Sequence, residues 1–372
     1  MNPNNVIILA SVYPAVLLAL TGTALVRFVA VKRGWYDDPS NPRKIHSGKI
    51  PRLGGVGMFW AFALTLGGVA LVLRGGDFGT ATFAPPLIVA FAICHFTGLF
   101  DDFHELRARW KLLLQSLAAI ILVVAGFRFR MIPLPGNLVD LGYLSYPLSF
   151  LWIVGVSNAI NMIDGMDGLA GGLVAIAAFT YGIVYTSVGN SAAAITAFIL
   201  AGAVLGFLFH NYPPAKIFMG DSGSLFLGIA IATLPLLGRG AYSESSGLFV
   251  GITLVLIPVF DVFAAILRRL RRGVSVMSPD KEHLHHKVMS LGFEQRTVLL
   301  MIYAVDLLLS CLVLSGLILP YRIFFSLLVL SWFITVLSFI WLHFATNPEQ
   351  RHDDYCAKKN SGPKRKGAED KP

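Results

Sequence analysis

The most restrictive feature of this sequence is a series of apolar runs that are each long enough to cross a lipid bilayer. A bilayer core about 30 Å thick needs about 20 apolar residues in one helix. The chain has 372 residues, of which 55% are hydrophobic and only 14% are charged. Soluble domains carry about a quarter charged residues, and disordered chains are poor in apolar types. Both classes are therefore excluded.

The apolar runs predict an all-α, polytopic integral membrane protein. About eleven segments qualify as transmembrane helices by length and composition. Their approximate bounds are 6–30, 54–73, 84–100, 111–126, 146–163, 168–187, 191–209, 222–237, 247–267, 297–319 and 323–345.

The positions of the positive charges predict the orientation of these helices. The chain has 30 Lys and Arg against 21 Asp and Glu, and most of the cations lie in the odd-numbered connections and the C-terminal tail. Cytoplasmic loops are enriched in Lys and Arg, so we expect the N-terminus outside and the C-terminus in the cytoplasm. This distribution indicates contacts with membrane lipids and phosphates, and no nucleic-acid partner is expected.

The same distribution divides the chain into two parts. Residues 1–345 would form the transmembrane domain, and residues 346–372 a basic, disordered cytoplasmic tail. The active-site loops would be the cytoplasmic segments 31–53, 100–111, 158–168, 210–221 and 268–296.

Carboxylates, amides and histidines gather at the cytoplasmic ends of the predicted helices. A charged group at a helix centre costs about 2.5–3.5 kcal/mol on insertion scales, so charges near the hydrocarbon need a reason. Four polar clusters occur on one face, and we expect them to converge on one site. They lie at 101–115, 158–168, 211–224 and 261–287.

The first cluster contains the adjacent carboxylates Asp101 and Asp102, followed by Lys111. Adjacent carboxylates repel and persist best beside a cation, so a site for a metal and a diphosphate is one interpretation. The alternative is an exposed charge pair that Arg107 and Arg109 balance.

The second cluster repeats a polar residue at every third position: Asn158, Asn161, Asp164 and Asp167. Residues at this spacing share one side of a helix end. Oxygen ligands of this kind suit Mg²⁺ or Mn²⁺ rather than zinc. The less favoured interpretation is an Asx-rich turn between two helices.

The third cluster runs from Asn211 through two prolines to Asp221, where Gly-Asp-Ser-Gly-Ser opens the next helix. The free N–H groups of a helix start favour phosphate. On this local pattern alone, an N-cap is the favoured role for Asp221.

The fourth cluster contains His283, His285 and His286 and follows the basic run 268–272. The histidines lack the HExxH spacing of a zinc protease. They indicate recognition of an anion such as a nucleotide diphosphate. For the basic run itself, binding of anionic lipid headgroups is favoured.

These motifs together resemble the polyprenyl-phosphate N-acetylhexosamine-1-phosphate transferases, glycosyltransferase family 4. The resemblance extends from about Asp37 to Gly292, and the predicted helix count matches that family. Its motifs are Asp101-Asp102 with Lys111, Asn158-AINMID-Gly165-MDGLA, Asn211-YPPAKIFMGDSGS and Arg43-KIHSGKIPRLGG. The segment His283-Leu-His285-His286 resembles the undecaprenyl-phosphate GlcNAc-1-phosphate transferase branch rather than the peptidoglycan branch, which has three consecutive histidines.

The resemblance implies an enzyme that transfers HexNAc-1-phosphate, with GlcNAc as the favoured sugar, from a UDP-sugar to undecaprenyl phosphate. This reaction would release UMP and start lipid-linked cell-envelope polysaccharide synthesis. It implies Mg²⁺, with Mn²⁺ as a substitute, in a bacterial cytoplasmic membrane with the active site on the cytoplasmic face. A homodimer is compatible with this interpretation. Another UDP-HexNAc or UDP-MurNAc-pentapeptide donor stays open, and a polytopic transporter is the non-enzyme alternative.

The resemblance also assigns roles to residues. It implies that Asn161 and Asp221 bind the metal, and that Asp101 or Asp102 activates the acceptor phosphate. Asp164 is expected to be catalytic, with Asp164 and Asp167 orienting the metal or the sugar nucleotide. The remaining substrate-binding residues are expected to be Lys111, Asn211, His283, His285 and His286.

Overall fold

The computed structural model describes residues 10–36, 50–72, 80–134, 137–238, 241–275 and 283–345. The predicted tail and parts of the predicted loops 31–53 and 268–296 lie outside these ranges. Thirteen α-helices occur within them: α1 (Val12–Arg33), α2 (Gly54–Val72), α3 (Thr80–His104), α4 (Ala108–Val124), α5 (Ser145–Ile163), α6 (Leu169–Ser187), α7 (Ser191–Asn211), α8 (Asp221–Thr233), α9 (Ala241–Leu254), α10 (Leu256–Arg271), α11 (Leu284–Ser290), α12 (Gln295–Ser315) and α13 (Tyr321–Ala345).

The predicted class, a polytopic helical membrane protein, is confirmed. Among the described residues, eight helical segments are long and apolar enough to cross a membrane, or up to nine if one bent pair is a single span. Helices α4 and α8 coincide with predicted spans but have only 17 and 13 residues. The total of eleven spans and the orientation of the termini therefore stay predictions.

Two features depart from straight transmembrane helices. Strands β1 (Met131–Leu134) and β2 (Asn137–Asp140) form an antiparallel hairpin, a small correction to the all-α expectation. The chain also bends by 74° between α9 and α10. Val255, between them, has φ −118° and ψ 24° and so leaves helical geometry. Beyond the bend, Asp261 of α10 contacts His283 of the fourth polar cluster.

Helix α8 lies at the centre of the helix packing that positions these clusters. It packs against α3, α5 and α2, and nearly all of its residues are buried. Small residues let the backbones approach closely, as is common between membrane helices. A Cβ atom on Gly98 of α3 would overlap the Asp221 carbonyl group, and one on Gly55 of α2 would overlap Gly223. These contacts fix the start of α8 relative to α2 and α3.

Candidate active site

The start of α8 is capped by a carboxylate from another helix. Asp102, in the last turn of α3, accepts the backbone N–H of Asp221 at 2.8 Å and that of Ser222 at 3.1 Å. The N-cap position itself is Gly220, whose φ of +71° favours glycine. The expectation that Asp221 is the N-cap is therefore wrong. Because Asp102 satisfies the free N–H groups, the Asp221 side chain is available for other contacts.

Asp221 and Asp101 share one cation. The Lys111 ammonium lies 2.6 Å from Asp101 Oδ2 and 2.5 Å from Asp221 Oδ2, and so joins α3, α4 and α8. The other Asp101 oxygen accepts the Leu106 N–H at 2.6 Å. Since Asp101 is buried, the interpretation as an exposed charge pair is wrong.

Arg52 is a second cation at the same carboxylates, and it was missing from the predicted site. Its Nη2 atom lies 3.7 Å from Asp102 Oδ1 and 3.8 Å from Asp221 Oδ1. Backbone hydrogen bonds hold the segment around Arg52 against the loop residues before α8. The Phe218 N–H donates to Pro51 O, the Gly54 N–H to Phe218 O and the Gly55 N–H to Met219 O. The family motif that ends in PRLGG contains Arg52 and could have indicated this residue. The motif does not indicate which side chains the arginine contacts.

The second cluster reaches the same helix. Asn161, in the last turn of α5, donates to Ser224 Oγ at 2.7 Å. Ser224 lies one helical turn after Asp221, so Asn161 and Asp221 stand at the same end of α8. Asn158 donates to Gln115 on α4 at 2.8 Å, which ties the second cluster to the first.

Asp167 and Asn211 connect the turn between α5 and α6 to the loop before α8. Asp167 Oδ2 accepts the Ala215 N–H at 3.0 Å. Asn211 accepts the Gly168 N–H at 2.9 Å and donates to Ile217 O at 3.0 Å. Both side chains are buried. These hydrogen bonds join segments that are far apart in the chain, so they are not local Asx turns, and they hold the two loops together.

Asp164 ends α5 and faces the charged groups of the site. Burial and the negative charge of Asp221 together raise the pKa of its carboxyl to about 7, whereas Arg52 opposes the shift. A carboxyl with a pKa near neutrality can take up or release a proton at physiological pH.

The histidine cluster is anchored by Asp261 on α10. One Asp261 oxygen contacts His283 Nδ1 at 2.8 Å, and the other accepts the Leu284 N–H at 2.8 Å, at the start of α11. These two contacts fix the N-terminal end of α11. Within this helix, the centroids of the His285 and His286 rings lie 4.2 Å apart.

His285 differs from its neighbours because, among the residues that the structure describes, neither of its ring nitrogens has a hydrogen-bond partner, although the residue is only 1% exposed. Burial lowers the pKa of this imidazole to about 3, so the ring is neutral. A Cβ atom on Gly165 would lie 3.3 Å from His285 Nε2. The glycine therefore allows the histidine ring to approach the turn that carries Asp164 and Asp167.

The four clusters therefore meet at one end of the helix bundle. The donor set for a metal consists of oxygens, as Mg²⁺ prefers. Within the described ranges, no three His, Cys, Asp or Glu side chains form a group that could hold a metal ion. However, an ammonium already lies between Asp101 and Asp221, which shows that this position favours a cation. Mg²⁺ commonly uses one or two carboxylates and completes its shell with water and substrate phosphate, so the residues fit such an ion.

Comparison with known proteins places this fold and site in a family. Residues 84–239 match the family described as glycosyl transferase family 4. A Bacillus subtilis (strain 168) protein named probable undecaprenyl-phosphate N-acetylglucosaminyl 1-phosphate transferase is 39% identical over 298 residues, which cover 80% of this chain and 81% of that protein.

Two further relatives are similar over most of their length. The decaprenyl-phosphate N-acetylglucosaminephosphotransferase of Mycobacterium tuberculosis (strain ATCC 25618 / H37Rv) is 35% identical, with 78% of this chain and 77% of that protein covered. The undecaprenyl-phosphate alpha-N-acetylglucosaminyl 1-phosphate transferase of Escherichia coli (strain K12) is 29% identical, with 76% and 77% covered.

The fold and the site define a polytopic membrane enzyme with a charged centre at one end of its helix bundle. The chain belongs to glycosyl transferase family 4 and is a transferase.

Proposed function

We propose that the protein transfers GlcNAc-1-phosphate from UDP-GlcNAc to undecaprenyl phosphate and releases UMP. The observation that carries this proposal is the Lys111 ammonium between Asp101 and Asp221, because it places cation-binding and anion-binding groups together at one helix end. The names of the Bacillus subtilis and Escherichia coli relatives support the sugar and the acceptor. We place the site at the cytoplasmic face of the bacterial inner membrane, where the positive charges predict the loops to lie.

The reaction exchanges one phosphoanhydride bond for another. An oxygen of the acceptor phosphate attacks the β-phosphorus of the UDP-sugar, and the bond from that phosphorus to the bridging oxygen breaks. UMP leaves with the bridging oxygen, and undecaprenyl-diphospho-GlcNAc is formed. Such transfers depend on positioning and charge neutralisation more than on covalent chemistry from the protein.

We propose that Asp221 and Asn161 hold Mg²⁺, or Mn²⁺ in its place. Asp221 is suited to this role because Asp102 provides the helix cap in its stead. When bound, the ion would neutralise charge on the donor diphosphate.

Asp101 is the better candidate for the group beside the acceptor phosphate. Both Asp102 oxygens accept backbone N–H groups, and its side chain is fully buried, so we assign Asp102 to positioning α8. Asp164, with a pKa of about 7, is suited to hold a proton during the exchange. Asp167 and Asn211 would keep the donor-facing loops in place.

The histidines and the two cations would bind the donor. His285 has buried ring nitrogens that can each hydrogen-bond to a ligand, and its neutral state suits uracil or a sugar hydroxyl. Lys111 and Arg52 would contact the diphosphate, and His283 and His286 would complete this side of the site.

The proposal is tested with the full-length protein in detergent. UDP-GlcNAc, undecaprenyl phosphate and Mg²⁺ should give UMP and the lipid-linked product, and EDTA should stop the reaction. UDP-GalNAc, UDP-QuiNAc and UDP-FucNAc provide the donor panel. No UMP release with any of these donors would contradict the proposed function.

A further inference from the structure

Lys111 lies between Asp101 and Asp221, in contact with the carboxylate that we assign to the divalent cation. Its ammonium contacts Oδ2 of both carboxylates, at 2.6 and 2.5 Å. The ammonium thus acts as the shared counter-ion of two side chains that belong to different helices.

The other carboxylate oxygens of Asp101, Asp102 and Asp221 contact groups other than Lys111. Asp101 Oδ1 accepts the Leu106 N–H, and both Asp102 oxygens accept N–H groups at the start of α8. Asp221 Oδ1 faces Arg52 at 3.8 Å. Asp221 Oδ2, which now holds Lys111, is therefore the Asp221 oxygen best placed to bind the metal.

A divalent ion and the ammonium cannot share this position. Mg²⁺ requires oxygen ligands at about 2.0–2.1 Å in near-octahedral geometry. It would also be repelled by an ammonium in contact with the same oxygens. Metal binding at Asp221 therefore competes with the ion pair to Lys111.

We propose that Lys111 is a resident counter-ion that the divalent cation displaces, and that the released ammonium then contacts the donor diphosphate. The inference rests on the proposed function for the identity of that diphosphate. Lysine suits such movement because its four-carbon stem is flexible and its ammonium has three rotatable donors. Its side chain is 22% exposed, so it has access to the open side of the site.

The direction of one affinity change tests this inference. Mn²⁺ alone serves as the probe, and free Mn²⁺ is measured by electron paramagnetic resonance with the full-length protein in detergent. We expect Lys111→Met to bind Mn²⁺ about tenfold more tightly than the wild type, because the competing charge is gone. Asp221→Asn should bind Mn²⁺ more weakly than the wild type. Equal or weaker binding by Lys111→Met would show that Lys111 positions the carboxylates for the metal, and would overturn the inference.

A second measurement uses the wild type and does not depend on the variant folding. An amine-reactive acetylating reagent is applied with and without saturating Mn²⁺, and acetylation of individual lysines is followed by mass spectrometry. Acetylation of Lys111 should rise severalfold with Mn²⁺, while Lys32 and the exposed Lys216 are internal references. An unchanged or lower rate at Lys111 would overturn the inference.

The outcomes separate this inference from the proposed function. If UMP is released in a Mg²⁺-dependent reaction but Lys111→Met does not bind Mn²⁺ more tightly, the inference fails and the function stands. If no donor yields UMP but Lys111→Met binds Mn²⁺ more tightly, the function fails and the displaced counter-ion stands.

Discussion

The site has two halves that differ in how far their polar groups are already paired. In the carboxylate half, formed by Asp101, Asp102, Asp221 and Lys111, every side chain has a partner from another helix or loop. In the histidine half, formed by Asp164, His283, His285 and His286, His285 is buried, and neither of its ring nitrogens is hydrogen-bonded to any described part of the chain. An unpaired buried polar group costs about 1–3 kcal/mol, whereas a paired one is stabilising.

This difference indicates how each half works. The carboxylate half is organised before any ligand arrives, and its interactions also hold α3, α4 and α8 together. The histidine half keeps hydrogen-bonding capacity for a ligand at the expense of stability, which is typical of functional sites. Substitutions in the first half should therefore affect folding or the metal, and substitutions in the second half should mainly affect donor binding.

The largest effect is expected from Asp221→Asn in the carboxylate half. It removes the charge that the metal requires, and loss of one such electrostatic group costs about 10²- to 10³-fold in turnover. UMP release measures the effect, and thermal unfolding checks the fold. Asp140→Asn on the hairpin is the matched control and should keep full activity. An Asp221→Asn variant with wild-type turnover would refute the assigned metal role.

Asp102→Asn should chiefly destabilise the protein. The asparagine has one acceptor oxygen, and its NH₂ group would face a backbone N–H at the start of α8, where Asp102 now accepts two. We expect the free energy of unfolding to fall by about 1–3 kcal/mol. Thermal unfolding in detergent measures this change, again with Asp140→Asn as the reference. An unfolding temperature equal to that of the wild type would contradict the capping role.

His285→Leu should separate binding from stability. No internal hydrogen bond to a His285 ring nitrogen is lost among the described residues, so the free energy of unfolding should be unchanged or higher. The KM for UDP-GlcNAc should rise about tenfold, the equivalent of one hydrogen bond to a ligand. The exposed His104 provides the matched control, His104→Leu, with wild-type kinetics. If His285→Leu loses stability but keeps its KM for UDP-GlcNAc, His285 supports the fold rather than the donor, and the proposed difference between the two halves is wrong.

The last prediction concerns the pH dependence of stability. The folded protein holds the pKa of Asp164 at about 7, whereas an aspartate in the unfolded chain has a pKa near 3.8. As the pH rises from about 4 to 7, the unfolded chain releases this proton first, so the free energy of unfolding falls. Asp164→Asn should lack this fall and be relatively more stable at pH 7 and above. Thermal unfolding of the wild type and Asp164→Asn, measured in EDTA across this pH range, gives the difference in stability. This difference should vanish below about pH 4. Parallel pH curves for the two proteins would contradict the prediction.

The sequence by itself determined the membrane class, the polar clusters and the family. The apolar runs determine the membrane class because the insertion of a helix into lipid depends on the local composition and length of the segment. Each predicted span coincides with a helix or helix pair, although α4 and α8 are short, and the bend at Val255 was not predicted.

Only the tertiary structure decided how the residues of the clusters divide their tasks. Asp221 has the local pattern of an N-cap, yet the cap comes from Asp102, 119 positions earlier. Arg52 and Asp261 likewise gain their partners from distant segments. A local pattern fixes which groups need hydrogen bonds, but the partners of buried groups depend on which helices pack together. The pairing of the carboxylates and the unpaired ring of His285 are therefore properties of the packing.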